Sequence, residues 1–226
     1  EGKTMGDCTF PETGELARNR AALYHWFALA FFQPPSDEDV YSLREGAMWV
    51  LLRSLEATPA AGDGVAAMHR ALAAGTPANA ASALGAAYTR IFDGAGGHAI
   101  APPYRSVYES AGGLLCQQAT AEMDRVLRQH RMRLDDQVHE PADHLSIQLE
   151  VMSQLALRVA EEAELQSRPL PPLLAEQVDF LGTQLLAWVR HFAARVAAVD
   201  ASGYYAGLAS VLVAFLDQDH AYLAEA

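Results

Sequence analysis

The constraint that most narrows the fold is the spacing of apolar residues in the last third of the chain. From Pro141 to about Leu165, the residues Leu145, Leu149, Met152, Ala156 and Val159 recur at four- and three-residue steps, the period of a helix buried along its length. From Leu173 to Val199 the pattern continues through Leu174, Val178, Leu181, Leu185, Trp188, Phe192 and Val199, and from Tyr204 to Leu223 through Leu208, Leu212 and Phe215. Pro169, Pro171 and Pro172 separate the first two runs. Alanine and leucine dominate, β-branched residues are sparse, and no short alternating stretch reads as a strand. The expectation is an all-α fold, a single-chain helical bundle-like domain of about eight to ten helices whose three long C-terminal helices lie antiparallel.

Upstream, a first helix is expected from about Glu15 to Gln33, with Leu16, Leu23, Phe27, Ala30 and Phe31 as its core stripe and Pro34-Pro35 as its stop. Ser36 with Asp39 reads as a capping box, and Thr76-Pro77 as an N-cap followed by an N1 proline. Shorter helices are expected around Met48 to Glu56, Val65 to Ala74 and Ala78 to Phe92, and another capped by Thr120 and carrying Met123, Val126, Leu127 and His130. Between them, Asp93 to Pro103 reads DGAGGHAIAPP, where glycine and proline forbid a regular element. Residues 1–14 are expected to be disordered or an expression remnant, and residues 15–226 to form the helical domain. Within it, a hinge at 134–140 would separate an N-terminal part, 15–133, from C-terminal helices, 141–226.

Charge excludes one function class. Sixteen Lys plus Arg against 28 Asp plus Glu leave a net charge of −12, so a nucleic-acid partner is not expected, because phosphate neutralisation needs a basic surplus. Cys8 and Cys116 lie far apart without a Cys-x-x-Cys pair, which suggests neither a disulfide framework nor a zinc knuckle. No apolar run approaches the ~18 residues of a membrane span, and the N-terminus lacks the pattern of a secretory signal. A cytoplasmic protein without a transmembrane segment is expected.

The densest polar cluster is His139-Glu140-Pro141-Ala142-Asp143-His144. Proline at N1 would put Glu140 at the N-cap and Asp143 at N3, where acids oppose the helix dipole and stabilise by roughly 0.3–1 kcal/mol each without any further function. A metal-dependent enzyme using His139, Asp143 and His144 is the alternative. Its spacing is poor, since the two histidines are five apart across a proline rather than at i and i+4 of one helix. Ser106, Ser110 and Ser146 lack the Gly-x-Ser-x-Gly elbow of a serine nucleophile. No catalytic residue, metal ligand or cofactor is therefore assigned. The aromatics Tyr24, Trp26, Phe27, Phe31 and Phe32 cannot all face one stripe of a helix. Two-sided burial is expected for Phe27 and Phe31 more than for Tyr24, and an exposed aromatic beside acids would suit an apolar, basic peptide.

These residues resemble the TorD/DmsD family of redox-enzyme maturation chaperones. The resemblance rests on Glu140-Pro141-Ala142-Asp143-His144-Leu145 running into Leu149-Glu150-Val151-Met152, and on Tyr88-x-x-x-Phe92 before the irregular loop. Pro102-Pro103-Tyr104-Arg105-Ser106-Val107-Tyr108, and Phe180 through Leu185 and Trp188 to Tyr204-Tyr205-x-x-Leu208, add to it, so that it spans about Leu16 to Asp219. One departure is Gln184, where the family usually carries a histidine.

The resemblance implies a cytoplasmic, non-catalytic chaperone that binds the twin-arginine signal peptide and the apo catalytic subunit of a molybdoenzyme until its molybdenum cofactor is inserted, delaying export. It implies signal-peptide binding by Pro141, Asp143 and His144, with Glu140 beside them and Tyr24 on the first helix. Tyr104, Arg105 and Tyr108 are candidate client contacts. A monomer and a domain-swapped homodimer both fit the family, as does an assembly factor for a non-exported nitrate-reductase-type enzyme.

Overall fold

The computed structural model describes residues 10–46, 49–50, 52, 59–95, 97, 99–110, 112–166 and 168–226. Among them, ten α-helices and one π-helical segment follow one another, and the one extended pairing is a single bridge. The fold is all-α, as the periodicity requires. The helices are α1 Phe10–Phe32, α2 Asp37–Glu45, α3 Pro59–Leu72, α4 Pro77–Ile91, α5 Arg105–Glu109, α6 Gln118–Gln129, α7 Leu145–Leu165, α8 Pro171–Phe180, α9 Val189–Val199 and α10 Tyr204–Glu225. The helix expected around Met48 to Glu56 falls largely outside the described residues.

Two caps form as the sequence predicts. Ser36 Oγ accepts the Asp39 amide while Asp39 accepts the Ser36 amide, and Thr76 caps α4 with Pro77 at its first turn. Thr120 is not a cap: α6 begins at Gln118, and the Thr120 hydroxyl points elsewhere.

α1 begins five residues earlier than the sequence suggests because its first turns lie close on α7, where a Cβ at Gly14 would sit 3.3 Å from that of Ala163. The contacts then run backwards along α7: Arg18 pairs with Glu164, Ser153 Oγ donates to the Ala21 carbonyl, and His25 meets Glu150. The two helices are therefore antiparallel. On its other side α1 meets α10, where the Phe215 ring lies 4.7 Å from that of Tyr24 and 5.7 Å from that of Phe27. Two-sided burial corrects two expectations. Tyr24 is as fully buried as Phe27 and Phe31, not less so, and Leu16 is 40% exposed and lies outside the core.

A buried polar network fixes the α1–α10 contact. Both oxygens of Asp219 accept from the Arg20 guanidinium, which also donates to Gln177 Oε1 at 2.6 Å, and the Tyr24 hydroxyl donates to Asp219 at 2.6 Å. Burial disfavours the charge on Arg20, but the Asp219 bonds outweigh it and hold the guanidinium pKa above its usual value. α3 crosses α10 at two glycines. A Cβ on Gly207 would lie 2.5 Å from the Gly64 carbonyl oxygen, so only glycine lets the backbones approach this far.

The C-terminal helices differ from the expected three-helix bundle. Instead of packing chiefly on one another, α7 lies along α1 and α10 along α3, so N- and C-terminal parts interleave around one core. The helix expected over 173–199 is interrupted by a π-helical segment, Leu181–Leu186, and a break at Trp188. The Trp188 indole N–H fills that break, donating to the Gln184 carbonyl at 2.8 Å and to Gln148 Oε1 at 3.1 Å.

Candidate functional site

Two proline-bearing segments meet beside the start of α7. The Leu145 amide donates to the Pro103 carbonyl at 2.8 Å and the Arg105 amide to the Asp143 carbonyl at 3.2 Å, which makes the Tyr104–His144 bridge. The expected geometry of the Glu140 to His144 cluster changes accordingly. α7 starts at Leu145 with His144 as its N-cap, not at Pro141, and the residues before it form a turn.

Asp143 is fully buried and turned away from solvent. Its carboxylate accepts the Ser106 amide at 2.8 Å and the Thr120 hydroxyl at 2.6 Å. It thus caps α5 and ties α6 to the junction, rather than capping its own helix. His144 is also buried, and its Nδ1 accepts the Ser146 amide at 3.1 Å. Burial pushes its pKa down to about 4, against the pull of Glu140 and Asp143, so the ring is neutral at pH 7. Glu140 and Pro141 are half-buried. Glu140 accepts the Tyr104 hydroxyl, whose proton is held firmly by burial and by that carboxylate.

The structure therefore brings Glu140, Pro141, Asp143, His144 and Tyr104 together and leaves three expected residues outside. Tyr24 lies in the core at Asp219. Arg105 is buried and bonded to Glu109 at 2.8 Å, Glu122 at 3.1 Å and Gln184 at 2.7 Å, which makes it a brace between α5, α6 and the π-helical segment, not a surface contact. Tyr108 packs its ring on Trp188 and Phe192. Gln184, to which no role was attached, accepts from Arg105 through its side chain and from Trp188 through its carbonyl.

Two openings share Phe32 as a lining residue. One is a polar cavity of about 220 Å³ bounded by Tyr88, Asp93, Tyr104, Glu140 and His144. The other is a mainly apolar groove of about 520 Å³ between Ala28 and Leu29 of α1, Ile147 and Val151 of α7, and Leu134 and Val138 of the linker. Asp93 escapes the sequence reading because it sits in the glycine-rich loop, with only long-range packing to bring it to Glu140. Its pKa is raised by partial burial and by Glu140, with an opposing hydrogen bond from Thr89. Among the described residues, no group of three His, Cys, Asp or Glu side chains is placed to hold a metal ion.

The model of the nitrate reductase delta subunit family matches residues 58–194. A protein of Ferrimonas balearica named chaperone protein TorD is 32% identical over 217 residues, covering 95% of this chain and 94% of that one. A chaperone protein TorD of Vibrio atlanticus is 30% identical over 217 residues, covering 94% and 98%. The chain belongs to the TorD family. For this TorD-family chain the match reaches both ends of the interleaved core, so the pairings of α1 with α7 and α3 with α10 lie within it. The relatives are named as chaperones and not as catalysts, which leaves the metal-enzyme alternative without support. No helix among the described residues is long and apolar enough to cross a membrane.

Proposed function

We propose that this protein is a cytoplasmic, system-specific chaperone that binds the twin-arginine signal peptide and the apo form of a molybdenum-cofactor oxidoreductase, assisting cofactor insertion and delaying export. The observation that carries the reading is family membership over nearly the whole chain. The site's chemistry agrees with it. Glu140 is the one carboxylate of its motif that borders the polar cavity, because Asp143 is spent on Ser106 and Thr120. Asp143, Pro141 and His144 then serve the site by shaping the turn that presents Glu140. A net charge of −12 accelerates encounter with a basic peptide in a salt-dependent manner.

Calorimetric titration of the protein with a twin-arginine signal peptide tests this reading, beside a control in which both arginines are lysines, at low and moderate salt. The expected result is saturable binding that weakens with salt and with the lysine control. Absence of binding to any such peptide, by folded protein, overturns it. A second reading is favoured by the nitrate reductase delta subunit model: an assembly factor for a non-exported nitrate-reductase-type enzyme. It shares the apo-enzyme partner, and capture of a catalytic subunit that lacks a twin-arginine signal would select it.

A further inference from the structure

Round α1 from the groove, Trp26, Ala30 and Gln33 line a different space, closed by the Pro34-Pro35 turn, α2 and the first residue of α10. This cavity holds about 190 Å³, with Asp39 and Tyr204 in its wall. A site for a cofactor-sized molecule spans roughly 300–1,000 Å³, so the space suits a single side chain of a larger partner. Two of its ring donors are unpaired. Tyr204 is 2% exposed, and among the described residues neither its hydroxyl nor the Trp26 indole N–H has a hydrogen-bond partner. Burial and the charge of Asp39 hold the phenolic proton in place, so Tyr204 is a donor at pH 7. By contrast, Tyr88, Tyr205 and Trp188 each donate to a backbone carbonyl of the fold. A buried donor without a partner is costly unless a ligand supplies the acceptor.

α2 borders a second space on its neighbouring face. Asp37, Glu38, Tyr41 and Pro77 line an open cleft of about 480 Å³, and Ser42 lines both cleft and cavity. Asp37 and Glu38 form no ion pair among the described residues, and Tyr41 is 61% exposed. Acids in the first turn of a helix are explained by its dipole alone. The dipole does not explain an exposed tyrosine beside them, or two unpaired donors next to Ser42.

We infer that cavity and cleft form one docking surface for an extended, proline-bearing segment of a partner protein, with a basic residue beside its proline. Polyproline-type backbone makes no internal hydrogen bonds, so its carbonyls are free to accept from Trp26 and Tyr204 while a proline ring fills the cavity between Leu43 and Pro35. The basic side chain lies in the cleft, over the Tyr41 ring and against Asp37 and Glu38. Charge and hydrogen bonding together select this occupant. A helix, whose carbonyls are bonded internally, would leave both ring donors unmet, and a purely apolar strand would leave both acids unmatched. The surface contains neither Glu140 nor any residue of its motif, so the inference goes beyond the signal-peptide reading and does not depend on it.

The test is nuclear magnetic resonance of the full chain labelled at the indole nitrogens. Three tryptophans give separate indole N–H signals, and Trp26→Phe identifies one by its loss. The probe is a short synthetic peptide of alternating proline and leucine that begins with arginine, beside one form with alanine for proline and one with glutamine for arginine. The proline peptide is expected to move the Trp26 signal downfield saturably and to leave that of Trp188 in place. Alanine for proline is expected to weaken binding at least about fivefold, and glutamine for arginine about threefold with loss of salt dependence. Tyr204→Phe keeps the ring in the core and is expected to weaken the arginine and glutamine forms equally. Asp37→Asn with Glu38→Gln is expected to abolish the preference for arginine. Thermal melts verify that each variant folds. A Trp26 signal unmoved by the proline peptide, moved equally by the alanine form, or moved only by a twin-arginine signal peptide overturns the inference, as does binding that both folded variants leave unchanged.

Discussion

His144 shows how a single side chain is diverted from the role its sequence context suggests. In a family motif a histidine beside an acid invites a charged, ligand-facing reading, yet here the ring accepts a backbone amide and lies against Tyr104 and Phe32. Its pKa is pushed down to about 4 from the ordinary 6.5. Between those values the unfolded chain takes up a proton that the native chain refuses. Stability is therefore level with respect to this group above about pH 6.5 and declines as pH falls towards 4, by at most about 3 kcal/mol. His144→Asn keeps a side-chain acceptor for the cap but cannot titrate. The melting temperature of the variant relative to wild type is expected to rise as pH is lowered from 7 to 4.5, and a difference constant across that range would remove the argument. The same residue-scale reading alters what Asp143→Asn reports. With two donors aimed at its carboxylate, that substitution loosens α5 and α6 as well as any ligand contact, so it is a poor probe of binding.

At the scale of elements, local chemistry was legible wherever a few neighbouring residues decide the outcome. The capping box at Ser36, the Thr76-Pro77 start and the 3.6-residue stripes of α7 and α10 all form as the sequence predicts. What stayed hidden was set by partners distant in sequence. Thr120 looks like a cap until Asp143, 23 residues on, claims its hydroxyl. Beside the π-helical segment, the Trp188 indole meets Gln148, 40 residues away. Asp93 and Glu140 share a cavity only after folding. Glycines make the same point. Gly207 and Gly85 both sit inside helices, where alanine is intrinsically better by roughly 0.5–1 kcal/mol. A Cβ on Gly85 would find its nearest neighbour, Pro34 Cβ, at 3.9 Å, an ordinary contact, whereas one on Gly207 would strike the Gly64 carbonyl oxygen. Gly85→Ala should stabilise by up to about 1 kcal/mol, and Gly207→Ala should destabilise by about 1–3 kcal/mol. Urea denaturation of both variants checks the opposite signs, and equal signs would refute the helix crossing described for α3 and α10.

Across the whole molecule, the chain order of the helices conceals their pairing. Periodicity identified three long C-terminal helices, but it carries no information about which stripe meets which, and the strongest associations join α1 to α7 and α3 to α10. The Arg20–Asp219 pair locks the same arrangement across 199 residues of sequence. Every one of these contacts links the part before the 130–144 linker to the part after it. An exchanged dimer, in which α1–α6 of one copy dock on α7–α10 of another, would retain all of them, so the linker alone chooses between monomer and dimer. Between residues 132 and 138 its backbone bonds are local: the Met132 amide reaches Leu127, and the Val138 amide reaches Asp135. Met132, Leu134 and Val138 pack on the core from within it, which lets the chain turn back on its own α1. Deleting residues 135–137 removes the turn closed by the Val138–Asp135 bond and shortens the connection between the two parts by three residues. The deletion is expected to convert the protein to a dimer of unchanged helical content, read by size-exclusion chromatography with light scattering and by circular dichroism. A deletion variant that stays monomeric with the same melting temperature would show that the linker does not hold the two parts in register.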